Sequence, residues 1–76
     1  MSGQTLLQKA LERLRRATEA DGAGDVVAAV DDYDAGVVLL ARAMAAEQDP
    51  TMKSTLCSKC AEYGARADAL RPAADK

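Results

Sequence analysis

Histidine, isoleucine, phenylalanine and tryptophan are missing from this 76-residue chain, which has only two tyrosines, two cysteines and two prolines. Without histidine, imidazole acid–base catalysis and histidine metal ligation are excluded. Cys57 and Cys60 are too few for a disulfide scaffold or a four-ligand zinc site. Ten Lys and Arg against twelve Asp and Glu give a net charge of −2. The basic footprint that displaces counterions from nucleic acid is therefore absent, and no nucleic-acid partner is expected. No apolar stretch is longer than Val37 to Ala41, too short to span a membrane, and no secretory signal opens the chain. The expectation is a soluble protein of a reducing, intracellular compartment.

What is present is alanine. Seventeen alanines supply much of the 49% hydrophobic content; eight Leu, five Val, three Met and two Tyr are left to fill a core. Alanine is the strongest helix former, so an all-α domain follows, too small to enclose a deep pocket. No nucleophile–base pair, P-loop or other cofactor motif is visible, and neither an enzyme nor a cofactor is expected.

Three helices are legible, at about 6–21, 26–48 and 50–71. Thr5-Leu6-Leu7-Gln8 fits a capping box, and Leu7, Ala10, Leu11, Leu14 and Ala17 then recur at spacings of three and four. Lys9, Arg13, Arg15 and Arg16 lie opposite. Gly22-Ala23-Gly24 supplies a turn with room for a positive φ, and Asp25 is the natural N-cap of the second helix. That helix carries Val26, Val30, Tyr33, Val37, Leu40 and Met44 on one stripe and Val27, Val38, Ala41 and Ala45 on another. Two apolar faces suit a middle helix between two neighbours, with Asp31, Asp32 and Asp34 on a solvated side. Asp49-Pro50 caps and starts the third helix, whose stripe is Met52, Leu56, Cys60, Tyr63, Ala67 and Leu70. Pro72 is expected to stop it, leaving Ala73 to Lys76 as a tail. Short connections demand antiparallel neighbours, so the 76 residues read as one up-down-up three-helix bundle.

Ala17-Thr18-Glu19-Ala20-Asp21-Gly22-Ala23-Gly24-Asp25, followed by Ala29-Val30, Tyr33 and Val37, resembles the microtubule-interacting and trafficking (MIT) domain. So do Lys59-Cys60-Ala61-Glu62-Tyr63, Arg66-Ala67-Asp68 and Leu70, and the opening Thr5 to Ala10. The resemblance spans roughly Thr5 to Arg71, and its flavour is that of the AAA ATPase that disassembles ESCRT-III polymers. Members bind short peptides between helices. A helical type 1 motif lies between the second and third helices, and an extended, proline-containing type 2 motif between the first and third. On this resemblance the type 1 groove would be walled by Cys57, Ala61, Gly64 and Asp68, with Val38, Ala41 and Ala45 opposite. Asp68 would meet a basic peptide residue and Lys53 an acidic one. The chain departs from the family pattern at Gly64, where members carry leucine, and at Val26, where they carry an aromatic. Both glycines inside helices, Gly36 and Gly64, cost about 1 kcal/mol relative to alanine; close helix approach or room for a ligand would offset that.

The implied function is a non-catalytic adaptor that recognises C-terminal peptide motifs of ESCRT-III-like proteins in endosomal sorting. It would be a monomer, cytoplasmic and peripherally recruited to endosomal membranes, touching membrane only indirectly. Nothing in the residues argues for microtubules. A tetratricopeptide-like repeat fragment is a competing reading, as is a self-associating bundle with no ESCRT role. Bland readings compete for the residues as well. Cys57 and Cys60 suit small-residue packing, Asp68 a surface ion pair with Arg71 or Lys59, and Arg13, Arg15 and Arg16 an ordinary polar face or a contact for an acidic partner or anionic lipid.

Overall fold

The computed structural model describes the backbone of residues 3–75 and the side chains of residues 5–75. They form three helices, α1 (Gly3–Gly22), α2 (Val26–Ala46) and α3 (Pro50–Ala74). The α2 helix packs along both its neighbours, whereas α1 and α3 touch at few points. This is an antiparallel three-helix bundle, elongated at 40 × 19 × 16 Å.

The α1–α2 reversal is a Schellman arrangement. Gly24 takes φ +81°, its N–H donates to the Asp21 carbonyl at 3.1 Å, and the Asp25 N–H donates to that of Ala20 at 2.9 Å. Asp25 then caps α2 by accepting from the Ala28 N–H at 3.2 Å, and Asp49 caps α3 by accepting from the Thr51 N–H at 3.0 Å. Between these caps α2 stops at Ala46, short of Gln48. Glu47 turns extended, and its carboxylate accepts from the Gln48 and Asp49 amides, each at 3.0 Å.

Two other ends differ from the sequence reading. Thr5 lies inside α1, so it is not the N-cap of that helix. Pro72 does not stop α3. The helix continues to Ala74 and closes with the Asp75 N–H donating to Arg71 at 3.0 Å. A proline removes one donor and crowds the carbonyl four residues back, and so near the end only one turn bears that cost. Lys76, the last residue of the expected tail, lies outside the described residues.

Small residues set the core. Ala10, Leu14 and Ala17 of α1 meet Ala29, Tyr33, Leu40 and Ala43 of α2, with Leu56 and Ala67 of α3. The helices approach closely at Gly36, where an added Cβ would lie 2.5 Å from Leu14 Cδ2 and 2.6 Å from its Cγ. Gly36 therefore serves helix approach, and the same geometry corrects the second apolar stripe. Val27, Val38, Ala41 and Ala45 are all exposed; the face that meets α1 is instead Ala29, Asp32, Gly36 and Ala43. Asp32 consequently leaves the solvated side assigned to it and is buried, with Arg13 Nε 3.1 Å from its Oδ1. That N–H is not aimed well enough to count as a hydrogen bond, so the attraction is chiefly Coulombic.

One polar clasp joins all three helices. Arg66 of α3 donates to Asp21 at the end of α1 through Nε at 2.7 Å and Nη2 at 2.8 Å. The hydroxyl of Tyr33, on α2, donates to the same carboxylate at 3.0 Å. The Tyr33 ring stacks on Tyr63 with centroids 5.9 Å apart. Arg66 holds the Asp21 carboxyl below the ordinary carboxylate range, while burial and the bond to Asp21 push the Tyr33 phenol up.

Candidate functional site

Helical spacing places Cys57, Ala61, Gly64 and Asp68 on one strip of α3, at offsets of zero, four, seven and eleven. Asp34, Val38, Ala41 and Ala45 share the same offsets on α2. Two features bring the ends of these strips together. At one end Arg71, which continues the α3 strip, forks onto Asp34 at 3.0 and 3.1 Å; at the other lies the short α2–α3 turn. Ala41, Ala45, Cys57, Ala61 and Asp68 are exposed, so these small residues leave the seam uncovered.

Gly64 is half-buried, yet a Cβ built on it would meet nothing within 4 Å. The two helical glycines thus differ in role. Gly36 lets helices touch, and Gly64 leaves space. Lys53, one turn before Cys57, is exposed and has no ion-pair partner among the described residues.

At the acidic end Asp68 pairs with Arg71, one of the partners its spacing offers, and Asp34 joins them. Asp68 is not a free carboxylate, because Arg71 Nη2 donates to its Oδ1 at 3.3 Å. Arg71 spans Asp34 and Asp68 at once, and both carboxylates raise its already high pKa, hydrogen bonding to Asp34 first. An arriving cation must share these carboxylates with Arg71, and an arriving carboxylate could take Arg71 from them. The partnership of Arg71 with Asp68 is readable from their spacing of three. Its partnership with Asp34 needs the register of α2 on α3, which no local signal gives.

Val38 departs further from its expected place. It occupies the outer ridge of α2, 50% exposed, and lines a cleft on the α1 side together with Ala35 and Leu39. The cysteines are both free. Cys57 is exposed on the strip, whereas Cys60 turns toward the core, where burial, and then Cys57, push its thiol pKa up.

Compared with known proteins, the chain matches the family model of the MIT (microtubule interacting and transport) domain over residues 7–72. No curated protein matches it as a relative.

Proposed function

Since the chain belongs to the MIT domain family, whose members are protein-interaction modules that bind peptide motifs in other proteins and are generally non-catalytic, we propose that it binds C-terminal motifs of ESCRT-III-like proteins in the α2–α3 groove. It thereby acts in endosomal sorting as a cytoplasmic module recruited to endosomal membranes. The observation that carries this reading is the open seam itself. Ala41 and Ala45 of α2 and Cys57 and Ala61 of α3 are small and uncovered, with empty space at Gly64 and charged residues, Lys53 and Asp68 with Arg71, toward the two ends of the seam. An amphipathic helix uses such a seam by laying its apolar anchors between the helices and its charges on the rim.

Cysteine accessibility tests this directly. Cys57 is free and exposed on the α3 strip, so iodoacetamide at pH 8 should modify it readily. A saturating type 1 peptide should slow that reaction severalfold and should fail to do so in Ala61→Glu, which puts a charge in mid-groove. Unchanged alkylation of Cys57 in the saturated wild-type chain would overturn the reading.

A second reading has its own observation. The α1 and α3 helices touch at few points, and each leaves a large apolar side chain exposed, Leu11 at 54% and Met52 at 40%. That favours the α1–α3 seam for an extended type 2 motif, and binding there would leave Cys57 unprotected.

A further inference from the structure

The basic residues of α1 have a place in the fold that neither peptide groove uses. On the outer side of the α1–α2 seam is a cleft of about 480 Å³, within the range of roughly 300–1,000 Å³ common to ligand sites. Ala35, Val38 and Leu39 of α2 form its apolar wall, and Lys9, Arg13 and Arg16 line it from α1. Arg13 is committed to Asp32. Lys9 and Arg16 are exposed and have no ion-pair partner among the described residues. Arg42, three and four residues beyond Leu39 and Val38, continues the same face of α2 and is likewise exposed and without an ion-pair partner there. Against these cations stand one lining carboxylate, Glu12, and the exposed Asp31, four residues before Ala35 on the same face of α2. A chain with net charge −2 thus keeps a small net positive charge around its apolar cleft.

We propose that the α1–α2 cleft is a separate docking surface, taking an acidic peptide segment that carries an aliphatic side chain. The aliphatic group lies against Ala35, Val38 and Leu39, and carboxylates on either side meet Lys9 and Arg16. Charge complementarity selects the acidic partner. Ala35 and Leu39 are half-buried in a cleft between two helices and only Val38 stands out on its rim, which suits an inserted side chain better than a flat bilayer. The proposal does not rest on the α2–α3 groove, since the two surfaces use different partner helices.

The test uses the whole 76-residue chain, labelled with ¹⁵N, and a blocked synthetic peptide of sequence Glu-Asp-Leu-Leu-Asp-Glu. Chemical-shift changes should centre on Lys9, Arg16, Ala35 and Leu39 and should weaken as salt rises from low ionic strength. Lys9→Glu with Arg16→Glu should lower the affinity about tenfold or more, equivalent to roughly 1.4 kcal/mol. Both residues are exposed and without ion-pair partners, and an unchanged circular dichroism spectrum and melting temperature confirm that this variant folds. A peptide with both leucines replaced by serine should bind about tenfold more weakly as well. Three results would each overturn the proposal: shifts centred on Cys57, Ala61 and Gly64; equal affinity for the serine peptide; or binding of phosphatidylserine-containing vesicles with none of the peptide.

Discussion

Replacing Gly36 by alanine sets helix propensity directly against packing. Away from any neighbour, alanine in a helix interior is worth about 1 kcal/mol over glycine. At position 36 the new methyl would sit 2.5 Å from Leu14 Cδ2 and 2.6 Å from its Cγ, so Leu14 must retreat to at least the 3.4 Å at which ordinary contact begins. Leu14 is only 2% exposed and belongs to the core cluster, so that retreat displaces other side chains or parts α1 from α2. Overpacking of this kind costs about 1–3 kcal/mol, leaving Gly36→Ala destabilised by about 0–2 kcal/mol net. Gly64→Ala is the internal control. The same substitution, also within a helix, meets open space and should stabilise by about 1 kcal/mol. The two variants should therefore differ by about 1–3 kcal/mol. At about 4–8 °C per kcal/mol for a domain of this size, thermal melts followed at 222 nm should separate them by about 4 °C or more, with Gly64→Ala the higher. Gly36→Ala melting at or above Gly64→Ala would refute the claimed approach of the helices.

Asp32→Ala removes the counter-charge of Arg13 and should cost about 1 kcal/mol in urea unfolding, the upper end for a partly exposed ion pair; a loss under about 0.5 kcal/mol, the scale of an ordinary surface substitution, would count against that pairing. Gly64→Leu adds a wall to the α2–α3 groove. Full burial of such a side chain is worth about 2–3 kcal/mol, so calorimetry with a type 1 peptide should show tightening of up to about a hundredfold; weaker binding would mean that the space is needed empty. The Asp21 clasp should give a stability plateau with two edges. Asp21 is held below its ordinary value of 3.8, so its contribution is complete above that value and disappears as acid protonates the folded form. Tyr33 is raised above its ordinary 10.0, so its share is present below that value and is lost as pH climbs through the folded pKa. Arg66→Ala should flatten the acid edge of a melting-temperature profile, and an unaltered edge would contradict the role given to the clasp.

Most of the architecture was legible because it is local. Alanine content, the two Asp caps and the Gly24 turn act within a few residues of themselves, and three helices with short connections leave few ways to pack. What was not legible depends on distances between helices. The burial of Asp32 follows from Gly36 drawing α2 onto Leu14, which turns an aspartate toward α1 and an apparent apolar stripe, Val27 to Ala45, out to solvent. Asp34 and Arg71 are thirty-seven positions apart, so their pairing depends on the register of two helices. At the candidate site, the α3 strip was readable from spacing and from the family resemblance. Its state was not. That Gly64 fronts open space, that Arg71 also holds Asp34, and that Val38 lines the α1 side all depend on the assembled bundle.

A heteronuclear titration of the whole chain with two peptides tests the α2–α3 seam as a peptide groove most directly. One peptide is a leucine-rich type 1 helix and the other a proline-containing type 2 segment. The account predicts that the type 1 peptide shifts Ala41, Ala45, Cys57, Ala61, Gly64 and Asp68 and leaves Leu11 unmoved. Shifts confined to α1 and the opposite face of α3, or no shift from either peptide at millimolar concentration, would contradict it.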